Sequence, residues 1–454
     1  MLARFVAAAL LSCAAILPRA HADGELADYV KREDPSYRWE TVRSGKFASG
    51  EYLELILTSQ TWRDIAWKHQ LFLFRPGNLE AGSRQALLYI DGGRWNPQYE
   101  SAPGELPRAA RVFAKLADSI HAPVAVLRQV PFEPLFDRRE DALIAYTFDR
   151  YLETGDADWP LLLPMVKSAV RAMDTAQSVA ESQWGLHLER FTVAGASKRG
   201  WTSWLTAAAD PRVASVAPIV IDMLNLPEQV RLQRETFGGL SEQVRDYQTI
   251  DLPGRIDSDA GRKLTGMVDP YSYRASLVLP KLLVLGTNDR YWPLDALSLY
   301  WDGLSEPKRV LYVPNQGHGI RDLDRVIGAL SALHRYSAHD VPLPALAWKF
   351  GSPAGKLEVT VQPGRKARHV LAWTASSPTR DFRAAHWSSH DCRRSRSDLL
   401  CSVPAHPSQY TALYSEVTFR DRGAPDFSLS TAVCIVDATG VMVRPCLNNA
   451  GNTK

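Results

Sequence analysis

The chain has 454 residues, is 45% hydrophobic and carries a formal net charge of +3. That length and apolar fraction suffice for a sizeable core and about two or three domains. The near balance of 53 basic against 50 acidic residues gives no electrostatic footprint for nucleic acid or an anionic membrane as partner.

Met1 to Ala22 has the layout of a secretory signal peptide. Arg4 is the charged start, Phe5 to Leu17 the apolar run, and Ala20-His21-Ala22 an A-x-A cleavage site. The run is too short for a comfortable membrane span, there is no twin arginine, and Leu10-Leu11-Ser12-Cys13 lies early for a lipoprotein box. Cleavage after Ala22 removes Arg4, Arg19 and Cys13 and no acid. The mature chain is then near neutral and is expected in the periplasm or outside the cell. Cys392, Cys401, Cys434 and Cys446 are left, an even set that suggests disulfides in an exported protein. Three pairings are open. Short loops favour Cys392 with Cys401 and Cys434 with Cys446, a local staple near the C-terminus.

Tyr52 to Thr58 and Gln70 to Phe74 read as strands, with Ser59-Gln60-Thr61-Trp62 as a polar turn between them. Ala86 to Ile90 is a short strand ending in Asp91-Gly92-Gly93. Glu105 to Ile120 is a helix with Leu106, Val112, Phe113 and Leu116 on its apolar face, and Pro123 to Arg128 is a buried strand. Helices follow at Glu140 to Leu152 and Leu161 to Gln183. Phe191 to Ala194 is a strand, broken at Gly195 and followed by an alanine-rich helix to Ala209. Val213 to Ile221, Lys281 to Leu285 and Arg309 to Val313 are further strands, and Arg321 to Tyr336 is an amphipathic helix. This alternation predicts an α/β domain over residues 23–341, with a mostly parallel sheet of about eight strands. The long, polar segment Asn225 to Pro280 exceeds an ordinary connection and reads as a cap or lid.

Beyond Pro342 and Pro344 the character changes. Leu357 to Val361, His369 to Trp373, Tyr414 to Phe419, Val433 to Val436 and Val441 to Val443 are short strands, separated by charged loops such as Arg393 to Asp398. They predict a β-sandwich-like domain over residues 346–454. His386 and His390 have i, i+4 spacing near Cys392, but in a β region with disulfides they do not read as a metal site. No phosphate loop or dinucleotide fingerprint is present, and no cofactor is expected.

Gly195-Ala196-Ser197 sits where a strand meets a helix, the layout of a nucleophile elbow. Small residues keep the turn tight and lift the serine hydroxyl above the sheet. The N–H of Lys198 then faces the place where an oxyanion forms. The usual Gly-x-Ser-x-Gly pattern is shifted, with Arg199 in the fifth position and Gly200 one later. Taken alone this is an ordinary turn, but later strand ends supply partners in the order acid, then histidine. Asp289 lies in Gly286-Thr287-Asn288-Asp289 and His318 between Gly317 and Gly319. Asp295, past Pro293, is a rival acid. His318 would take the proton of Ser197, and Asp289 would orient the imidazole. Gly93, with Arg94 as the neighbouring option, would supply the second oxyanion N–H. Trp95, Trp201, Tyr291 and Trp292 follow the same strand ends and predict an aromatic-lined pocket for a sugar, aryl or acyl group. Lys198 would suit an anionic group there, or a solvated helix position.

The chain resembles the PhoPQ-activated pathogenicity-related (PqaA-like) family, which includes the autocrine proliferation repressor type, from about Tyr37 to the C-terminus. The resemblance rests on Ser59-Gln60-Thr61-Trp62, Trp67-Lys68-His69-Gln70-Leu71, Ile144-Ala145-Tyr146-Thr147, Trp159 to Met165, Ala172-Met173-Asp174, Gly195 to Trp201 and Thr379 to Arg383. It implies an exported α/β-hydrolase with a C-terminal β domain and a triad at Ser197, Asp289 and His318. It also accounts for Arg199, since Ser-Lys-Arg-Gly-Trp is the family's own elbow. Asp91 before the glycines is a departure, because a carboxylate there opposes oxyanion stabilisation unless it points away. A milder resemblance is to glucuronoyl esterases, which also carry a basic residue after the serine. The leading expectation is a serine hydrolase acting on a small-molecule ester. The alternative is a non-enzymatic secreted signalling or binding factor on the same scaffold, and a third is a carbohydrate-binding C-terminal domain.

Overall fold

The computed structural model describes residues 24–47, 49–101, 110–353, 355–395, 398–421 and 423–451. The expected signal peptide, and the start of the helix expected from Glu105, lie outside them.

Strands β1 (Arg38–Phe47), β2 (Gly50–Trp62) and β3 (Ile65–Pro76) form an antiparallel meander. The turn expected at Ser59 to Trp62 is instead the end of β2. The chain reverses at Arg63 and Asp64, both at positive φ (51° and 59°), as a two-residue hairpin turn requires. The polar residues that suggested a turn are buried because a helix, Leu162–Trp184, supplies their partners. Ser59 Oγ lies 3.0 Å from both His69 Nε2 and Ser168 Oγ, and Gln60 Nε2 donates to the Pro164 carbonyl at 2.7 Å. Burial pushes His69 down to about 4, so this ring is neutral at neutral pH.

β4 (Gln85–Ile90), β5 (Val124–Leu127), β6 (Arg190–Ala196), β7 (Val213–Ile219), β8 (Lys281–Gly286) and β9 (Lys308–Val313) complete this part of the sheet. The spatial order is β1-β2-β3-β5-β4-β6-β7-β8-β9, antiparallel up to the β3–β5 pair and parallel from β5 onward. Apart from β1, this is the order and direction of an α/β-hydrolase sheet. All eight expected strands are present. β1 is the addition, and its exposed, charge-rich face hides it from a hydrophobic pattern. Every residue of β5, β7, β8 and β9 is buried because helices cover both faces. Leu162–Trp184 packs beside Lys198–Ala209, and Ala110–Ile120 beside Leu323–Ala338.

Between β7 and β8 the chain is helical: Leu226–Phe237, Arg245–Thr249, Leu252–Arg255 and Asp259–Val268. These helices are short: Gly238-Gly239 ends the first, and the one holding Pro253-Gly254 is a single turn, which erases the period a longer helix would show.

The remaining strands are β10 (Leu346–Gly351), β11 (Lys356–Pro363), β12 (His369–Ser377), β13 (Ser388–Asp391), β14 (Arg393–Ser395), β15 (Asp398–Pro404), β16 (Tyr410–Phe419), β17 (Phe427–Ser430) and β18 (Cys434–Val436). β14 occupies part of the stretch expected as a loop at Arg393 to Asp398. Val441 to Val443 makes only a bridge, Met442 to Val436, and not a strand. One sheet, β10-β11-β15-β14, packs across the strands β16 and β12, with β13 paired beside β12. That second set is not separate, since β17 pairs with β9 at Ser430 and Val310, so the hydrolase sheet runs on into the C-terminal strands. Cys392 is bonded to Cys401 on β15, linking the two layers, and Cys434 on β18 to Cys446. Cys392 is therefore no metal ligand beside His390, which lies on β13. Among the described residues no helix is long and apolar enough to cross a membrane.

Candidate active site

Ser197 stands alone between β6 and the helix Lys198–Ala209, at φ 58° and ψ −129°. A non-glycine residue at positive φ is strained, and the surrounding packing must hold it. Two glycines make that packing possible. A Cβ at Gly195 would lie 2.6 Å from the Arg199 carbonyl oxygen, and one at Gly200 would lie 2.7 Å from Ile221 Cγ2 and 2.9 Å from the Gly195 oxygen. The shifted glycine thus serves the same close strand–helix contact as the expected one. Arg199 in turn passes under Gly92, where any Cβ would strike its guanidinium. It donates to the Val130 carbonyl at 2.5 Å and through both terminal nitrogens to Glu140 at 3.0 Å. Arg199 therefore ties the elbow helix to the loop after β5 and to the start of the helix Glu140–Thr154, while packing against the loop after β4.

His318 and Asp289 lie on the loops after β9 and β8. His318 Nε2 is 2.7 Å from Ser197 Oγ, and His318 Nδ1 is 2.9 Å from Asp289 Oδ2 and 3.1 Å from Oδ1. A carboxylate only accepts, so it fixes the proton on Nδ1 and leaves Nε2 to accept from the serine hydroxyl. Asp289 is buried and also accepts from the Tyr291 N–H at 2.9 Å. Asp295, the rival acid, is turned away and pairs with Arg380. The loops that carry Asp289 and His318 are gripped by the C-terminal region. Asn288 Nδ2 donates to the Ala385 carbonyl at 2.7 Å, and Asn315 exchanges hydrogen bonds with the Trp387 backbone at 2.8 and 2.9 Å.

Lys198 opens its helix, so its N–H belongs to the first turn, which lacks intrahelical acceptors. Gly93, at φ 115°, borders the same open groove as Ser197. Asp91 is held by Arg128 at 3.4 Å, which offsets the charge that departed from the expected pattern.

On the other side of Ser197 a chamber extends beneath the short helices between β7 and β8, called the cap below for their position over it. Trp201, Tyr291 and Trp292 line it together with Ser197 and His318. The cap contributes Leu226, Val230, Val244, Tyr247, Leu252 and Ile256. Trp201 combines two roles, since it borders the chamber while its Nε1 donates to the Val268 carbonyl at 2.5 Å. Trp95 does not line the chamber as expected. It packs on Tyr99 and Phe132, because the loop after Gly93 turns away, with the Trp95 N–H donating to the Glu133 carbonyl. Lys198 Nζ is neither free for an anion nor solvated: it is buried, 2.5 Å from Glu140 and 3.5 Å from Asp141.

The sequence profile of the PhoPQ-activated pathogenicity-related protein family matches residues 26–383. The chain belongs to this family. Autocrine proliferation repressor protein A of Dictyostelium discoideum is 29% identical over 382 residues, covering 79% of this chain and 76% of that protein. Among solved structures, acetyl xylan esterase 1 from Thermoanaerobacterium sp. is 18% identical with a TM-score of 0.45, over 68% of this chain and 91% of that one. A glucuronoyl esterase from Solibacter usitatus is 13% identical with a TM-score of 0.36, again over 68% and 91%.

In this PhoPQ-activated pathogenicity-related chain, the residues that sequence reasoning missed form one carboxylate cluster at the start of the helix Glu140–Thr154. Burial alone would raise Glu140, but Arg199 and Lys198 outweigh it and hold the carboxyl well below its usual range. Its buried neighbour Glu133 is pushed up, first by burial and further by the charge of Glu140. Asp141 accepts from the hydroxyls of Tyr247 on the cap (3.2 Å) and Tyr291 (3.1 Å). The signal available was the pair of basic residues after Ser197, which once buried must find acids.

Proposed function

We propose that the protein is an exported serine hydrolase that cleaves carboxylic esters through an acyl-enzyme. The observation that carries this reading is the continuous hydrogen-bonded path from Ser197 through His318 to Asp289. Ser197 Oγ attacks the ester carbonyl carbon while His318 Nε2 takes its proton. Asp289 stabilises the imidazolium. The carbonyl oxygen becomes an oxyanion and receives the N–H groups of Lys198 and Gly93. Collapse expels the alcohol, which takes the proton back from His318. Water then repeats the sequence, releasing the acid and restoring Ser197. The disulfides favour an oxidising compartment, in keeping with the signal-like N-terminus.

The test is labelling of the folded protein by a fluorophosphonate probe. We expect a single adduct at Ser197, absent in Ser197→Ala, and turnover of simple esters by the parent alone. Failure of folded protein to label sinks the reading. The name of the Dictyostelium relative favours a second reading, a secreted regulator of growth. A Ser197→Ala variant that retained full biological activity would support it.

A further inference from the structure

Ser197 separates two spaces of opposite character. The chamber under the cap measures about 80 Å³ at the centres of water molecules. The groove on the other side measures about 380 Å³ in the same way, and Asp91, Arg128 and Arg199 border it. The chamber wall is aliphatic and aromatic, and the polar groups that reach it are mostly engaged. Asp141 is occupied by Tyr247, Tyr291 and Lys198. Gln229 Nε2 donates to the carbonyls of Asp222 and Leu224, and Gln233 Oε1 accepts from the Ser241 N–H. Among the described residues, Gln229 Oε1 and Trp292 Nε1 are buried without partners, enough for an uncharged polar contact. An ion entering here would lose its hydration and find no free counter-charge.

We infer that the substrate is a two-part ester, with an uncharged apolar moiety in the chamber and a larger polar moiety in the groove. This rests on the hydrolase reading above. At roughly 10–15 Å³ per water centre the chamber has room for about six waters, and a methylene fills a similar volume. The apolar moiety therefore has about six non-hydrogen atoms, the size of a six-carbon chain or a phenyl ring. A sugar fits poorly, because each hydroxyl would give up water for an apolar wall.

Two ester series test this with the full chain: methyl esters of lengthening acids, and acetates of lengthening alcohols. In one series kcat/KM should rise about fourfold per methylene up to about six carbons and then fall. Val230→Trp, on the cap wall, should move that optimum to shorter chains. Whichever series shows the optimum, joining that six-carbon half to a polar half (hexanoyl glycerol for the acid, hexyl glycerate for the alcohol) should give faster cleavage than hexyl hexanoate, since one half of the latter must lie in the polar groove. A flat or falling profile in both series, with Ser197 still labelled, overturns the chamber assignment alone. Calorimetry with Ser197→Ala separates binding from chemistry. Tighter binding of methyl hexanoate or of hexyl acetate than of methyl acetate keeps the chamber assignment even where turnover and labelling fail, and equal binding of all three overturns it.

Discussion

Tyr291 lies against His318 with ring centroids 4.1 Å apart, and its hydroxyl donates to Asp141, which also accepts from Tyr247 on the cap. The imidazole is therefore held on its edge by Asp289 and on its face by a ring anchored elsewhere. Tyr291→Ala should lower kcat/KM by about 10–100-fold, because small displacements of a catalytic group carry costs of that order. Tyr291→Phe keeps the ring and should lose less than about tenfold. Steady-state kinetics on both variants, with circular dichroism as a folding control, check the ordering. Equal losses would show that the hydroxyl, and not the ring, does the positioning.

Asp289→Asn should leave the fold intact and reduce kcat by about 10⁴-fold, since an amide can donate to Nδ1 and favour the wrong tautomer. Combining it with Ser197→Ala should cost little more than Ser197→Ala alone, because residues of one relay act as a unit. Additive losses in a double-mutant series would mean that Asp289 acts outside the relay.

Gly200→Ala places a methyl group against Ile221 and the Gly195 carbonyl. It should destabilise the fold by about 1–3 kcal/mol, the usual cost of overpacking, measured by urea denaturation. Arg199→Lys should weaken the elbow as well, because one ammonium cannot reproduce the two bonds to Glu140 and the third to Val130. A neutral outcome for Gly200→Ala would mean that the helix can step back from the sheet.

Asp222 is buried just beyond the end of β7 and accepts from the Tyr300 hydroxyl. Burial above all pushes its carboxyl up to about 7 from an ordinary 3.8. Between those values the folded protein holds a proton that the unfolded chain has released. Stability due to this group is thus greatest at low pH and declines as pH rises from about 4 through 7. Asp222→Asn has no such proton. Melting curves should show the parent losing ground to the variant across that window, and parallel pH profiles would count against the assignment.

Much of the site was legible because its chemistry is local. Gly195 to Gly200, Asp289 and His318 each sit at a strand end, where turn residues betray the strand and order in the chain supplies the role. The lock around the elbow was not legible. Glu140 lies 58 residues from Lys198, and no periodicity links the two. Trp95 misled because its distance in sequence from Gly93 says nothing of which way the loop turns. Ser59 and Gln60 misled for a related reason: polar side chains signal a turn unless a distant helix satisfies them. The pairing of β17 with β9 joins residues far apart through a single register contact, and no composition pattern announces it.

Reducing both disulfides should cost about 2–3 kcal/mol each, given closed loops of sequence separation 9 and 12. Hydrogen exchange should then rise first in β13, β15 and β18, and activity should fall later, as the grip on Asn315 loosens. Loss of activity before any change in exchange would contradict this order.

The pairing of β9 with β17 has a consequence for how the molecule comes into being. The loops that carry Asp289 and His318 are clasped by residues 382–387, and the edge strand beside them is covered by Phe427–Ser430. A nascent chain that already holds Ser197, Asp289 and His318 still lacks these braces until Phe427–Ser430 has been made. A chain cut short near Pro342 would therefore carry Ser197, Asp289 and His318 without the contacts that hold two of their loops in place.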